Sequence, residues 1–580
     1  MSDEHFDAVI VGSGFGGSIM AYKLAEKGLN VCLLERGKTY PPGSFPRSPY
    51  RMARNFWDPS EGHHGLFNLW NFRRMGAVVS SGLGGGSLIY SNVLLRKPEE
   101  TFKDEDEHGG YVNWPVTYKD LEPHYEQVER MMNVQQYPFD AQKVRNSPVF
   151  PCDDDPYNQT HKTRELMAAA DQLKLDWFLP NLAVTFHNPG QKPVPGECMI
   201  EEHPNMHERS RTTCRLCGEC NVGCNFGSKN TLDYTYLSAA RREKAEIRTR
   251  CEVRSFAPLD LANPGKGYAI TYVDHSGAEE GTRSNTSKLP GKTITADRLI
   301  LAAGTLGSTF LMLKNRDSFP EISRRVGTRF SGNGDLLTIL LNASQKVNGK
   351  KVPRIFETGY GPVITSSIHV KDKLEGGKGR GYYIQDAGFP DFGNWIFESI
   401  DIFRILARGG RFARRVLKQA LGFITDSDIG AEVSDLLGPA RVSSSTLPLL
   451  AMGRDVPDGR MTLSCDGKLD LDWTKRRSNA FFKAVRRTAH DIAYATNARF
   501  LDDPLWYVSR FITVHPVGGC PMGASDTEGV VDEFGQVFNY PGFYITDGSV
   551  VPGPVGPNPS LTIAAITSRA ADHIVENLKN

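Results

Sequence analysis

The fold of this chain is decided by the stretch Phe6-Asp7-Ala8-Val9-Ile10-Val11-Gly12-Ser13-Gly14-Phe15-Gly16-Gly17. Its apolar run predicts a buried strand from Phe6 to Val11, and the glycine-rich turn after it predicts a sharp reversal into a helix. A second apolar run, from Asn30 to Leu34, predicts the next strand. A strand, a helix and a strand in this order indicate the opening βαβ unit of a Rossmann-type α/β domain.

The same turn carries a dinucleotide-binding pattern. Gly12, Gly14 and Gly17 fit G-x-G-x-x-G, and Glu35 follows at the end of the second strand. Gly12 permits the tight turn, Gly14 lets the backbone approach a pyrophosphate, and Gly17 lets the helix pack on the strand. Glu35 can accept hydrogen bonds from the adenosine ribose. These residues therefore predict a bound dinucleotide.

Length and composition limit the class of protein. The chain has 580 residues, more than one hydrophobic core usually supports, so we expect at least two domains. Its 68 Lys and Arg residues nearly balance 67 Asp and Glu residues, and a net charge of +1 argues against a nucleic-acid-binding role. No apolar run is long enough to span a membrane and no targeting segment is recognisable, so we expect a cytoplasmic protein.

Two motifs near the C-terminal end resemble a known enzyme family. Residues 511–523 read Phe-Ile-Thr-Val-His-Pro-Val-Gly-Gly-Cys-Pro-Met-Gly, and residues 544–563 read Tyr-Ile-Thr-Asp-Gly-Ser-Val-Val-Pro-Gly-Pro-Val-Gly-Pro-Asn-Pro-Ser-Leu-Thr-Ile. Together with Gly82-Leu-Gly-Gly-Gly-Ser-Leu-Ile-Tyr-Ser-Asn92, they resemble the glucose–methanol–choline (GMC) oxidoreductases, and specifically their cholesterol oxidase branch. Residues 225–237 also look like that branch, whereas residues 340–460 match it poorly.

Cofactor-type motifs lie near the start, the middle and the end of the chain, which predicts a discontinuous FAD-binding domain with a second, α+β substrate-binding domain. The first should comprise residues 1–105, 225–335 and 500–580, and the second residues 106–224 and 336–499. The resemblance implies non-covalent FAD. Besides the first glycine turn and Glu35, it assigns to the cofactor Gly84, Gly85, Gly86, Ser87, Asn92, Val253, Asp547 and Gly548.

The resemblance also places His515 and Asn558 at the substrate side of the flavin. Oxidation of an alcohol needs a group that takes the hydroxyl proton while hydride leaves the carbon, and histidine titrates in the right range. Asn558 lies between two prolines whose fixed φ angles restrict the backbone, which suits a side chain that must hold the substrate oxygen. Outside this motif, His515-Pro516 would be interpreted as an ordinary loop.

The stretch Tyr383-Ile-Gln-Asp386-Ala-Gly-Phe-Pro390 loosely resembles the strand on which the cholesterol oxidase branch carries a glutamate that shifts a steroid double bond after oxidation. Asp386 stands in place of that glutamate. A carboxylate suits the task because it must take a proton from one carbon and return it to another. The alternative is a solvated Asp386 at a strand end, before a turn at Gly388.

Four of the ten cysteines are clustered, with C-x2-C-x2-C-x3-C spacing: Cys214, Cys217, Cys220 and Cys224. This is the spacing of an iron–sulfur ligand run, although Asn225 replaces the proline that usually follows. Three interpretations stay open: a [4Fe-4S] or [3Fe-4S] cluster, a structural zinc ion, or no metal. A cluster near the flavin would take electrons one at a time and favours a dehydrogenase. Its absence favours an oxidase that makes hydrogen peroxide.

Residues 399–424 combine basic side chains with apolar positions at helical spacing, and only Asp401 opposes the positive charge. Such a segment can lie on an anionic membrane surface, or pack on the core with its basic face in water. Peripheral membrane contact is therefore an alternative to a purely cytoplasmic protein.

These features predict FAD-dependent oxidation of a small-molecule alcohol by hydride transfer, with O2 or another electron acceptor. The preferred substrate is a bulky apolar secondary alcohol such as a 3β-hydroxysteroid, which would place the enzyme in steroid metabolism. The alternatives are a sugar, polyol or long-chain alcohol dehydrogenase that uses the cysteine run, and a non-catalytic flavoprotein at a membrane. The intact His515 and Asn558 argue against the last.

Overall fold

The computed structural model of the protein describes residues 4–105, 110–391, 441–503, 506–507 and 510–578. Residues 399–424, for which the sequence predicts either membrane contact or packing on the core, lie outside this range. No helix within the described ranges is long and apolar enough to cross a membrane.

A seven-stranded sheet is assembled from segments that are far apart in the chain. The strand His5–Val11 pairs in parallel with Val31–Leu34 on one side and with Gly291–Leu301 on the other. The helix Phe15–Glu26 packs on these strands, and the helix Ser560–Asn577 packs on that helix in turn. Across the sheet the order is Glu246–Arg248, Val31–Leu34, His5–Val11, Gly291–Leu301, Tyr268–Asp274 and Cys251–Pro258, and Phe543–Ile545 also pairs with Gly291–Leu301.

This arrangement confirms the predicted Rossmann-type α/β fold. Each of the two strands predicted first begins one residue away from its expected start, at His5 and Val31. The first strand is buried from Ala8 to Val11 and the second along its whole length.

A second, six-stranded sheet is antiparallel and has its own hydrophobic core. The helices His161–Leu173 and Asn479–Ala495 contribute to that core. Its strands, in order across the sheet, are Asp176–Phe178, Ser367–Val370, Tyr382–Asp386, Leu447–Gly453, Leu336–Leu341 and Arg499–Asp502. Every strand of the first sheet lies in the three segments assigned to the FAD-binding domain. The second sheet lies in the other two segments, except that Arg499–Asp502 crosses the boundary at residue 500.

The other described helices are Pro49–Met52, Tyr118–Met131, Ala141–Asn146, Tyr236–Arg242, Gly304–Lys314 and Arg441–Ser444. The other described strands form small two- and three-stranded sheets: Trp57–Asp58, His63–His64, Phe67–Asn71, Met75–Ser80, Lys103–Glu105, Tyr111–Asn113, Gln135–Gln136, Asn181–Leu182, Thr328–Ser331, Ser344–Val347, Lys350–Pro353, Arg460–Leu463, Leu469–Asp472, Phe511–Thr513 and Val517–Gly519.

Two of these small pairings enclose the His515 segment. On one side of His515, Phe511–Thr513 pairs with Met75–Ser80. On the other side, Val517–Gly519 pairs with Thr328–Ser331, and the chain after Ser331 continues into the six-stranded sheet at Leu336. The loop that carries His515 therefore lies beside the segment that leads into the six-stranded sheet.

Candidate active site

In the first glycine turn, packing within the protein requires glycine at some positions but not at others. Gly12 has a φ of +100°, and a Cβ there would lie 2.4 Å from the Ala302 carbonyl oxygen. A Cβ at Gly17 would lie 1.9 Å from the Gly12 carbonyl oxygen, so both positions exclude a side chain. A Cβ at Gly14 would meet no described atom within 4 Å. Packing does not require glycine at Gly14, so the open space there is consistent with a ligand that approaches the backbone.

Three glycine-rich segments meet at this turn. The backbone N–H of Gly84 donates to Ser13 Oγ over 3.0 Å, which joins the second glycine-rich stretch to the first. A Cβ at Gly16 would overlap the Thr546 carbonyl oxygen, so the third segment packs directly on the turn. The structure thus brings together segments that the sequence assigned to one cofactor.

Within the second stretch, Gly84 and Gly85 have φ angles of 111° and 53°, which side chains rarely adopt. Ser87 Oγ donates to the Gly84 carbonyl oxygen and tightens the turn. A Cβ at Gly86 would meet no atom of the described ranges within 4 Å. The stretch therefore has bare backbone at Gly86, and its Gly85 packs against Gly14.

Glu35 is buried at the end of its strand and holds the first turn. Its carboxylate accepts from Ser13 N at 3.0 Å, from Ser13 Oγ at 2.6 Å and from Gly37 N at 2.7 Å. The backbone N–H of Cys251 donates to the Glu35 carbonyl oxygen, and this places Val253 of the same strand nearby. The strand that carries Val253 therefore begins beside Glu35.

Asp547 is buried at the N-terminus of the helix Gly304–Lys314. Its carboxylate accepts from the backbone N–H groups of Gly304 and Ser549 and from the Ser308 hydroxyl. Burial raises the pKa of Asp547 above its ordinary value, and these hydrogen bonds oppose the rise. Next to it, a Cβ at Gly548 would lie 2.5 Å from Thr305 Oγ1, so the backbone here is packed tightly.

Asn92 indicates what kind of ligand binds where the three glycine-rich segments meet. It is fully buried with a φ of 68°, and neither its amide nitrogen nor its amide oxygen has a partner among the described residues. An unpaired buried amide is costly, so a polar ligand is expected against it. Together with the bare backbone at Gly14 and Gly86, this donor and acceptor set fits the phosphates, ribityl chain and ring of FAD.

His515 forms a hydrogen-bonded pair with Asp335, which sequence reasoning missed. His515 Nδ1 lies 2.8 Å from Asp335 Oδ1, and the Asp335 side chain is buried. Because a carboxylate only accepts, Nδ1 carries a proton, and in the neutral ring the lone pair is then on Nε2. The second oxygen of Asp335 accepts from the Thr513 hydroxyl and from the backbone N–H groups of Val514 and His515.

Asn558 has a partner that was also missed. Gln385 Nε2 donates to Asn558 Oδ1 over 2.9 Å, and both side chains are buried. This bond fixes the amide of Asn558 so that its Nδ2 can act as a donor elsewhere. Gln385 Oε1 has no partner within the part of the chain that the structure describes.

The structure contradicts both interpretations of Asp386. It is fully buried and accepts from Lys162 Nζ at 3.1 Å and from the backbone N–H groups of Thr365 and Ser366. Successive strand residues point to opposite faces, so Asp386 faces away from the side on which Gln385 reaches Asn558. The predicted steroid-isomerising role is therefore wrong, because this carboxylate is engaged in a buried ion pair.

The four clustered cysteines, Cys214, Cys217, Cys220 and Cys224, line one cavity together with Lys229. In the absence of a metal ion, burial raises the pKa of Cys214 and, with the nearby Cys220, raises that of Cys217 to about 12, which keeps these thiols protonated. Among the described residues, no group of His, Cys, Asp and Glu side chains is arranged to hold a metal ion.

The protein combines glycine turns of the kind that bind phosphates with a histidine that can act as an acid or a base. This combination indicates that the bound dinucleotide takes part in the reaction. The class that fold and site define is therefore a dinucleotide-dependent oxidoreductase.

Comparison with known proteins narrows the class. Models of GMC oxidoreductases match residues 201–318 and 456–567, and a model of NAD(P)-binding Rossmann-like domains matches residues 10–44. A cholesterol oxidase of Mycobacterium tuberculosis (strain CDC 1551 / Oshkosh) is 28% identical over 98% of this chain and 90% of its own length. A cholesterol oxidase of Acinetobacter baumannii is 28% identical over 98% of this chain and 94% of its own.

The chain is therefore similar to the GMC oxidoreductases, and among them to the cholesterol oxidases. It is an FAD-dependent enzyme that oxidises alcohols, which disfavours the non-catalytic alternative. The fold agrees: the structure of a fungal aryl-alcohol oxidase covers 100% of both chains with a TM-score of 0.57 at 14% identity.

Proposed function

We propose that the protein oxidises the secondary alcohol of a bulky apolar molecule, a 3β-hydroxysteroid such as cholesterol, to a ketone. The observation that carries alcohol oxidation is the pairing of His515 Nδ1 with Asp335, because in the neutral ring it directs the proton to Nδ1 and the basic lone pair to Nε2. The substrate class is supported by the similarity to cholesterol oxidases over nearly the whole chain.

In this proposal bound FAD supplies the acceptor for the hydride that leaves the alcohol carbon. His515 Nε2 takes the hydroxyl proton, and the Asp335 carboxylate stabilises the imidazolium that results. Asn558 donates from Nδ2 to the substrate oxygen and holds it in place. Gln385 keeps the Asn558 amide in the orientation this requires.

We propose that the cofactor is held by the residues that the sequence assigned to it, in the domain division predicted above. The turns at Gly12–Gly17 and Gly84–Ser87 would cradle the phosphates and ribityl chain. Glu35 and Val253 would bind the adenosine end. Asp547, Gly548 and Asn92 would lie along the remainder.

The product should keep its double bond in place. The residue that reaches Asn558 from the strand Tyr382–Asp386 is Gln385, and a neutral amide cannot take a proton from one carbon and return it to another. We therefore expect a cholesterol-type substrate to yield the unrearranged Δ5-3-ketone.

The test is anaerobic mixing of the holoenzyme with cholesterol, a long-chain primary alcohol and glucose, each in the same detergent. Cholesterol should bleach the flavin absorbance fastest, and mass spectrometry should find the 3-ketone. Bleaching by glucose or the long-chain alcohol, with none by cholesterol, would contradict the steroid assignment while leaving alcohol oxidation intact.

A second candidate is a dehydrogenase that passes electrons through an iron–sulfur cluster. One observation favours it: the four cysteines share a cavity, and Lys229 joins that cavity to the cofactor stretch by donating to the carbonyl oxygens of Cys220, Leu88 and Tyr90. Iron and labile-sulfide analysis of anaerobically purified protein decides between the two. Neither iron nor sulfide is expected of the oxidase, and stoichiometric amounts of both would establish the dehydrogenase.

A further inference from the structure

We infer that the turn Ser331-Gly332-Asn333-Gly334-Asp335 is a single element that positions both His515 and Asn558, an inference that rests on the proposed function of those two residues. Neither Asn333 nor Asp335 would touch the reacting atoms. Each acts through one member of the proposed catalytic pair.

Asn333 holds the backbone immediately before Asn558. It is fully buried with a φ of 51°. Its Nδ2 donates to the Pro557 carbonyl oxygen over 3.0 Å, and its Oδ1 accepts from Gly556 N over 3.1 Å. The side-chain amide of Asn333 thus bonds to the backbone of both Gly556 and Pro557. These two bonds fix the position from which the Asn558 side chain extends.

Asp335 holds His515 two residues further along the same turn. One oxygen accepts from His515 Nδ1, and the other accepts from the backbone N–H of His515 itself over 3.0 Å. The carboxylate therefore fixes the backbone, the ring orientation and the tautomer of His515 at once. Since Asn333 and Asp335 are neighbours in one turn, they set the spacing between the two residues they hold.

The turn is anchored on both sides. Ser331 belongs to a strand that pairs with Val517–Gly519 directly after His515, and its hydroxyl accepts from Asn333 N over 2.9 Å. At Gly334, a Cβ would lie 2.7 Å from the Gly453 carbonyl oxygen in the six-stranded sheet, so the turn is packed without slack. A rigid element between two sheets can hold two side chains in register, and a misplacement of about 1 Å at such a site costs on the order of 10²-fold in rate.

The test uses double-mutant cycles on the anaerobic flavin reduction rate of the holoenzyme, with cholesterol as the probe. Asp335→Asn alone should slow reduction by about 10²-fold, and it should cause no further loss in a His515→Ala background, because it acts through that ring. Asn333→Gly, which tolerates the positive φ, should likewise be non-additive with Asn558→Ala. The cross combination of Asp335→Asn with Asn558→Ala should multiply the two losses.

A matched control is Asp502→Asn, which removes another buried carboxylate, the partner of Arg486, without touching the turn. It should lower the melting temperature and leave the reduction rate per bound FAD unchanged. A wild-type rate for Asp335→Asn overturns the inference. So does a loss of equal size in the wild-type and His515→Ala backgrounds, because that is the result of a merely structural residue.

These outcomes are separable from failure of the proposed function. If His515→Ala is slow and Asp335→Asn is fast, only the positioning inference fails. If His515→Ala reduces its flavin at the wild-type rate, the proposed base fails and the inference fails with it. A readout that needs no substrate is the ¹⁵N spectrum of histidine-labelled protein. The resonances lost in His515→Ala should report an Nδ1-protonated ring in the wild type and should shift in Asp335→Asn; no shift contradicts the inference.

Discussion

At the scale of single residues, Asp455 shows how burial sets a charge close to the site. It is fully buried, Ser331 Oγ donates to its Oδ1, and its Oδ2 has no partner in the described part of the chain. Burial raises the pKa of Asp455 to about 7, although the Ser331 hydrogen bond and Arg380 oppose the rise.

The pKa of Asp455 predicts a pH-dependent stability. An unfolded aspartate has a pKa of about 3.9, so the folded state binds this proton more tightly. The stability it contributes is fully present below about pH 4 and is lost as the pH rises towards 7, the folded value. Asp455→Asn cannot ionise, so its melting temperature relative to that of the wild type should be higher at pH 8 than at pH 5. A difference between variant and wild type that is the same at both pH values would refute this.

Residue types at short spacing could be interpreted from the sequence, but partners at long range could not. Gly12, Gly14 and Glu35 belong to one local pattern, and the structure brings them together. Asp335 and Gln385 lie about 180 and 170 residues from the side chains they hold, and neither belongs to a local pattern. The one available signal was alternation along Tyr382–Asp386, which places Gln385 and Asp386 on opposite faces.

At the scale of elements, the ion pair between Lys162 and Asp386 joins the helix His161–Leu173 to the strand Tyr382–Asp386. Both side chains are fully buried, and Lys162 Nζ also donates to the carbonyl oxygens of Pro362 and Val363. The pair is therefore structural in character.

Breaking this pair should destabilise the protein without changing its chemistry. Asp386→Asn or Lys162→Met leaves an uncompensated buried charge, and the free energy of unfolding should fall by about 3–5 kcal/mol. The double replacement should cost less than the sum of the two. The flavin reduction rate per bound FAD should stay at the wild-type value. A large drop in that rate, with stability unchanged, would return Asp386 to the catalytic site.

At the scale of the whole molecule, three glycine-rich segments distant in sequence meet at the turn Gly12–Gly17, where we propose that FAD binds. The motif positions near the start, middle and end of the chain predicted this discontinuity, and the seven-stranded sheet has it. The bounds of the strands of the six-stranded sheet could not be predicted from the sequence, because these strands are short and lie in the region without recognisable motifs.

None of the residues proposed to hold FAD is a histidine, cysteine or tyrosine, which predicts FAD that is bound without a covalent link. Purified protein should be yellow, and acid precipitation should leave intact FAD in the supernatant. Added FAD should raise the melting temperature of the apoprotein, since it binds the folded state alone. Flavin retained in the precipitate would show a covalent link and contradict the assignment.

The central claim is that His515 removes the hydroxyl proton while the alcohol carbon loses a hydride. The most direct measurement is the rate of anaerobic flavin reduction by cholesterol carrying deuterium at C3, in the wild type and in His515→Ala. We predict that deuterium slows the wild-type reaction, and that His515→Ala lowers the rate by about 10²-fold or more with its FAD content unchanged. Reduction of the His515→Ala flavin at the wild-type rate would contradict the account.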